Sequence, residues 1–224
     1  SNFIFSHINE NYSEYLNPKK KFLVIFRGIN TDYFNSKKIN ISDQEKLISH
    51  WKVDSEKPII LLPGRLTSWK GQEMFIEAIN LVNKEVEPKS FSVVILGSDQ
   101  GRDVYKKKLL RLVEQYRLND QVRFINKCEV MPIAYKISKI VVSSSIEPEA
   151  FGRVSIEAQS MEKPIIASNI GGSNETIIND KTGFLFKAGK PEDLSKKIIH
   201  VLNLSESTLN SIGIEGRKNV VKKF

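Results

Sequence analysis

Residues 58–72 read Pro-Ile-Ile-Leu-Leu-Pro-Gly-Arg-Leu-Thr-Ser-Trp-Lys-Gly-Gln: a short apolar run, a glycine-bounded loop, and the start of an amphipathic stretch. Pro58–Leu62 has the length and composition of a strand buried on both faces. Gln72–Val86 then sets Met74, Phe75, Ala78, Ile79 and Val82 on one stripe, as a helix packed on a sheet requires. The strand–loop–helix unit recurs along the chain. Further strands are predicted at Phe91–Leu96, Val122–Ile125, Lys139–Ser144, Pro164–Ser168 and Gly183–Lys187. Helices are predicted at Arg102–Tyr116, with Tyr105, Leu109, Leu112, Val113 and Tyr116 inward, and at Pro191–Leu202, with Leu194, Ile198 and Leu202 inward. This alternation predicts an α/β fold, a doubly wound and mostly parallel sheet of about six strands flanked by helices. Ligands of such sheets bind beyond the carboxyl ends of the strands, so the residues that follow each strand hold the candidate site.

Upstream of this unit the alternation fails. Ser1–Pro18 is polar and aromatic with weak periodicity, followed by a strand-like Phe22–Phe26. The start therefore reads as the tail of a preceding domain and a connector (residues 1–20), with one domain over 21–224. The 224 residues are 40% hydrophobic and 27% charged, which excludes a disordered chain. No apolar run approaches the roughly 20 residues of a spanning helix, and no secretory signal is visible. A single cysteine, Cys128, excludes an internal disulfide and a zinc cluster and points to a reducing compartment. The histidines His7, His50 and His200 are scattered among polar neighbours, so no metal site is expected. Net charge is +8, from 34 basic and 26 acidic residues. That favours an anionic partner: a phosphorylated small molecule, an acidic lipid surface or a nucleic acid. The runs Lys19–Lys21 and Lys106–Lys108 read as solvated faces, so charge alone does not choose among these.

Three loops hold candidate chemistry. After Pro58–Leu62, Gly64 and Gly71 bound a loop bearing Arg65 and Lys70, a fork and a point charge suited to clamping a diphosphate; the plain alternative is a surface loop with incidental charges. After Phe91–Leu96, Gly97 lets a flat ring or a ribose lie close to the backbone, although tight-turn glycines serve many α/β proteins. After Lys139–Ser144 comes Glu147-Pro148-Glu149-Ala150-Phe151-Gly152-Arg153-Val154-Ser155-Ile156-Glu157. There Gly152 opens a helix whose free N–H groups, at Gly152, Arg153 and Val154, suit a phosphate. Glu149 and Glu157 flank that helix start and reach opposite ends of one extended ligand; Glu147 competes with Glu149. A last loop, Ile170-Gly171-Gly172-Ser173-Asn174-Glu175, reads equally as part of the crevice or as a turn.

Taken in order, these motifs resemble the C-terminal, nucleotide-sugar-binding domain of the family 4 (group 1) retaining glycosyltransferases of GT-B fold, particularly bacterial cell-surface polysaccharide enzymes of capsule and lipopolysaccharide type. Gly64-Arg65-Leu66-x-x-x-Lys70-Gly71 resembles the family's phosphate loop. Glu149-x7-Glu157 around Phe151-Gly152 resembles its Glu-x7-Glu signature. Thr182-Gly183-Phe184-Leu185 resembles a strand near the domain's end. Arg27-Gly28-Ile29-Asn30-x-x-x-Phe34 resembles the interdomain Asn-Gly-Val-Asp-x-x-x-Phe, with Arg27 in place of the usual asparagine; Asn126 stands where a glycine is usual.

The resemblance implies a Rossmann-like domain, the C-terminal half of a GT-B fold, with catalytic roles for Arg65, Lys70 and Glu149. Gly64, Phe151, Gly152, Arg153 and Val154 would bind substrate, Glu157 would hold the ribose, and Gly97, Lys127 and Cys128 would line the base pocket. It implies a UDP- or GDP-linked donor, no metal and no other cofactor. It also implies a glycan or lipid-linked acceptor held by a preceding N-terminal domain, without which the fragment is inactive. The setting implied is cytoplasmic, with peripheral contact at the inner membrane and no nucleic acid. The rival readings are a noncatalytic nucleotide- or nucleic-acid-binding module, and a phosphorylase or sugar-phosphate enzyme on the same scaffold.

Overall fold

A computed structural model describes residues 1–15, 22–101 and 103–224. The Lys19–Lys21 run, the expected boundary at residue 20 and the first residue of the helix expected from Arg102 lie outside the described residues. In chain order the elements are α1 (Asn2–Tyr12), α2 (Ile41–Trp51), β1 (Ile59–Pro63), α3 (Gln72–Val82), β2 (Ser92–Leu96), α4 (Asp103–Gln115), β3 (Val122–Ile125) and α5 (Met131–Ile137). There follow β4 (Ile140–Ser143), α6 (Arg153–Ser160), β5 (Ile165–Ser168), α7 (Ser173–Thr176), β6 (Phe184–Phe186), α8 (Pro191–Leu202) and α9 (Glu206–Lys223).

The six strands form one sheet in the order β3-β2-β1-β4-β5-β6, every neighbouring pair parallel. All six lie within a residue of their expected positions. Both faces are covered, which explains the unbroken apolar runs. Ile60, Leu62, Val93 and Ile95 enter one core with α3, α4 and α8, while Ile59, Leu61, Val94 and Leu96 enter the other with α2, α5 and α6. Ile60, Leu61, Val94, Ile95 and Val141 are fully buried. Each such side chain stabilises the fold by about 1.5–3 kcal/mol relative to exposure.

The strand order reverses between β1 and β4. Their carboxyl ends diverge to opposite sides there and leave the crevice where doubly wound sheets bind ligands.

The structure departs from the expectations in several places. Phe22–Phe26 is not a strand: Phe22, Leu23 and Ile25 are exposed, and neither edge of the sheet takes the segment as a partner. Phe26 instead packs beside Phe151 and Phe224. The helix expected to run to Val86 ends at Val82, where Asn83 turns to donate to Gln121 Oε1 at 2.7 Å. Four longer helices went unread. Among them, α2 is capped by Asn40, whose Oδ1 accepts from Asp43 N at 2.8 Å, and α9 is capped by Ser205. The face that α9 turns to α6 includes Gly213, Gly216 and Asn219, too small and polar to register as an apolar stripe.

Candidate functional site

The site is assembled from the loops after β1, β2, β3 and β4. Beyond the strands the pairing continues, with Gly64 N donating to Leu96 O at 2.8 Å and Leu66 N to Ser98 O at 3.0 Å. Gly97 sits so close to this ladder that an added Cβ would come within 2.0 Å of Gly64 O. Its glycine is thus required by the approach of two protein backbones, a reason other than the ligand contact anticipated from sequence.

The β1 and β4 loops are stitched together across the switch point. Gly71, at φ +71°, starts α3 directly against Ser144, and an added Cβ would meet Ser144 O at 2.0 Å. Ser144 Oγ donates to Lys70 O at 3.0 Å, and Ile146 N to Trp69 O at 2.8 Å. This fastening brings Lys70 Nζ to 2.7 Å from Glu149 Oε1, with both side chains about 15% exposed. The Lys70 ammonium also lies 4.4 Å from the Trp69 ring centre, a cation–π contact that desolvates one side of it. Ser145 Oγ donates to the same Glu149 oxygen. Glu149 Oε2 has no partner among the described residues. Gly172 N donates to Glu149 O at 2.8 Å, and the Gly171-Gly172 backbone presses on Glu149 and Phe151. The last glycine loop is therefore a buttress behind the site and contributes no lining. Its Glu175 accepts from the backbone N–H groups of Asn2 and Phe3, both at 2.7 Å, which anchors α1 beside the crevice. Glu147 is exposed and lies outside the lining.

Helix α6 starts at Gly152, in the left-handed region at φ +79° with no side-chain cap. The N–H groups of Gly152, Arg153 and Val154 have no backbone acceptor among the described residues. Oriented peptide dipoles leave partial positive charge at such an end, which suits an anion. Phe151 holds the entry to the helix, its ring centre 6.4 Å from that of Phe26 and 5.4 Å from that of Phe224. One and a half turns on, Glu157 is buried but fully engaged: Oε2 accepts from the Tyr135 hydroxyl at 2.7 Å and Oε1 from Arg153 Nη2 at 2.9 Å. Burial and the adjacent carboxylate push the Tyr135 hydroxyl well above its ordinary value, so it stays protonated and donates. Burial likewise pushes the Cys128 thiol up, which favours its protonated form.

These residues line two adjoining chambers. One, of about 560 Å³, is lined by Arg27, Gly64, Arg65, Trp69, Lys70, Glu149 and residues 150–154, together with Ile4 of α1 and Ser1, which caps that helix. The other, of about 410 Å³, is lined by Gly64, Arg65, Gly97, Asn126, Lys127, Cys128, Tyr135, Arg153, Val154 and Glu157. They meet at Gly64, Arg65, Arg153 and Val154, so the cations and the head of α6 stand between a chamber floored by Glu149 and one floored by Glu157. Each of the twelve candidate residues lines one chamber or both. Tyr135, Ser145 and Trp69 were missed. Ser145 follows directly on a predicted strand and was open to detection; Tyr135 lies on the unread α5. A cleft of about 390 Å³ at the opposite ends of β1–β3 is also charged; Lys89 pairs there with Asp120 at 2.8 Å and Lys57 with Asp54 at 3.1 Å, while Lys52 and Arg123 line it without a carboxylate partner among the described residues. Among the described residues no three His, Cys, Asp or Glu side chains gather as a metal site, and no helix is long and apolar enough to cross a membrane.

The geometry has counterparts among known proteins. A glycosyltransferase from Rickettsia africae superposes on the whole chain with a TM-score of 0.93 at 35% identity, the match covering 57% of that protein. The Anabaena protein HepE, solved in complex with UDP and glucose, matches 90% of the chain at a TM-score of 0.81 and 25% identity, over 53% of its own length. The capsular polysaccharide biosynthesis glycosyltransferase CapM of Staphylococcus aureus is 39% identical over 93 residues, 42% of this chain and 24% of that one. The chain thus spans about half the length of these two solved structures. The model of the family described as glycosyl transferases group 1 matches residues 43–219; the chain belongs to the glycosyl transferases group 1 family.

Proposed function

We propose that residues 21–224 form the donor-binding domain of a retaining hexosyltransferase of family 4, which moves a sugar from a UDP- or GDP-linked donor to a glycan or lipid-linked acceptor. The observation that supports this most is the order of groups along the groove: a carboxylate with a free oxygen, then cations and open helix N–H groups, then a second, anchored carboxylate. A nucleotide sugar has the same order of chemistry, with sugar hydroxyls, a diphosphate and ribose hydroxyls. HepE, at 25% identity, was solved with UDP and glucose, and CapM takes its name from capsular polysaccharide biosynthesis. In the same reading residues 1–20 belong with a preceding acceptor domain, and the protein works at the cytoplasmic face of the membrane in surface polysaccharide synthesis, without a metal or other cofactor.

In this mechanism the sugar C1–O(phosphate) bond breaks and a bond from C1 to the acceptor oxygen forms on the same face. The proton of the acceptor hydroxyl passes to the departing phosphate oxygen. Negative charge on the diphosphate grows as the sugar leaves, and Arg65, Lys70 and the N–H groups at Gly152–Val154 meet that charge. One well-placed donor in such a position stabilises the transition state by about 3 kcal/mol. Glu149 Oε2 accepts from donor sugar hydroxyls, and Glu157 accepts from the ribose. Lys70 already holds Glu149 in place, so the sugar subsite is organised before the ligand arrives.

Calorimetric titration of UDP, GDP and UDP-glucose tests the binding half of the reading. At least one should bind, and Glu157→Ala should weaken it. Residues 1–224 alone should bind nucleotide without transferring sugar, and transfer by the complete protein should survive EDTA. Salt-sensitive binding of a random single strand with no nucleotide binding would overturn the assignment.

A further inference from the structure

Arg27 is a groove cation that the proposed mechanism does not use. It lines the Glu149 chamber with Arg65, Lys70 and Arg153, but is absent from the adjoining chamber, which Arg65 and Arg153 also line. Arg27 therefore stands on the side away from Gly97 and Cys128. Its neighbours on either side are anchored. The Phe26 ring centre lies 5.4 Å from that of Phe224, and Ile29 N donates to Phe224 O at 3.3 Å. The side chain itself is exposed and has neither an ion pair nor a hydrogen-bond acceptor among the described residues.

Charge matching then singles it out. Lys70 faces Glu149 at 2.7 Å and Arg153 faces Glu157 at 2.9 Å, which leaves Arg65 and Arg27 as lining cations without a carboxylate. A glycosyl diphosphate brings two negative charges, and Arg65, Lys70 and the head of α6 answer them where the chambers meet. Arg27 remains, on the sugar side, as a planar fork suited to bidentate contact with a carboxylate or a phosphate.

We propose that Arg27 is a specificity residue that holds an oxyanion of the substrate outside the diphosphate, a reading that rests on the donor-domain assignment above. The oxyanion is either the carboxylate of a uronic-type donor sugar or a phosphate on the acceptor. A guanidinium among other cations, with no protein carboxylate to offset it, favours a charged ligand over a neutral one of the same shape and raises the rate of encounter.

The test compares matched ligands by calorimetry or NMR titration on the native protein, Arg27→Gln and Arg27→Lys. The donor arm sets UDP-glucuronate against UDP-glucose. The acceptor arm titrates glucose 6-phosphate and glucose into the UDP complex. In one arm the charged ligand should bind about tenfold more tightly than the neutral one, as a charge-assisted pair supplies. Arg27→Gln should reduce that ratio to within about twofold of unity, and Arg27→Lys should retain part of it. The arm that responds identifies the source of the oxyanion. No charged-ligand preference in either arm, or a preference that Arg27→Gln leaves intact, overturns the proposal. So does an equal loss of affinity for UDP, UDP-glucose and UDP-glucuronate, which would place Arg27 on the diphosphate. Failure of the native protein to bind UDP at all is a separate result: it removes the donor-domain reading and this proposal with it.

Discussion

Replacing Tyr135 by phenylalanine removes one oxygen from the molecule, and the structure sets the size of the effect. The ring of Tyr135 is fully buried, against Phe34 at 6.1 Å between centres, and phenylalanine preserves that packing. What is lost is the 2.7 Å donation to Glu157 Oε2. A hydrogen bond to an ionised acceptor contributes about 1.5–3 kcal/mol, and the loss lies toward the lower end because Glu157 borders the adjoining chamber, where water can take up part of the freed acceptor. The remaining partner, Arg153, is 67% exposed, so its ion pair is screened and adds at most about 1 kcal/mol. Tyr135→Phe should therefore destabilise the fold by about 1.5–2 kcal/mol. Glu157, freed at one oxygen, must then be ordered by the ligand. Immobilising such a side chain costs about 0.5–1.5 kcal/mol, or roughly twofold to tenfold in affinity. Urea unfolding with an unchanged m-value reads the first quantity, and calorimetric titration with UDP at pH 7 reads the second. Reduced stability with undiminished UDP affinity would refute the idea that Tyr135 poises Glu157 for a ligand. Unchanged stability would show that the bond contributes nothing.

Three further outcomes are expected. In the complete enzyme, Arg65→Ala and Lys70→Ala should lower kcat about 10- to 100-fold with little change in donor KM, because their contacts strengthen as the diphosphate departs, whereas Glu157→Ala should act chiefly on KM; equal, purely KM-type effects from both cations would reduce them to a binding clamp. Gly71→Ala should lower stability by at least about 2 kcal/mol in thermal or urea unfolding, since it combines a left-handed backbone with a 2.0 Å approach to Ser144 O, and a variant as stable as the native protein would show that the loops are not locked as described. Desolvation, reinforced by Lys136, depresses Lys163 to about 8 from 10.5; because the unfolded chain holds the proton more tightly, stability should rise between about pH 8 and 10.5 and stay flat in this respect below 8. Lys163→Met should abolish that rise and raise stability at neutral pH, as urea titrations at several pH values would show.

The sequence carried the sheet and the loops more plainly than the contacts that tune them. Runs such as Pro58–Leu62 are apolar at every position because both faces are covered, and that signal is local. The inner face of α9 is built in part from Gly213, Gly216 and Asn219, and only the proximity of α6 gives those residues meaning. Phe22–Phe26 has strand-like composition, yet its apolarity serves a local aromatic cluster. The same divide runs through the site. Arg65, Lys70, Glu149 and Glu157 were legible because they follow strands or flank a helix start. Tyr135, 22 residues from Glu157, and Ser145, beside Glu149, matter through tertiary contact. Gly97 lines the groove as expected from its place after a strand, and a neighbouring carbonyl adds a constraint that its local sequence does not show.

The fastening of the two loops at the switch point, and the buttress behind them, run largely through main-chain atoms: Ile146 N to Trp69 O and Ser144 Oγ to Lys70 O in the first, Gly172 N to Glu149 O in the second. Such bonds are indifferent to most of the side chains they pass. Glu147, for one, is exposed and its side chain takes no part in holding Lys70 or Glu149. The scaffold thereby separates what must be kept for chemistry from what is open to drift. On the donor-domain reading proposed above, a lineage built on this scaffold would acquire a new sugar preference by altering the rim of the groove, while the charges assigned to the leaving group stay where the backbone holds them.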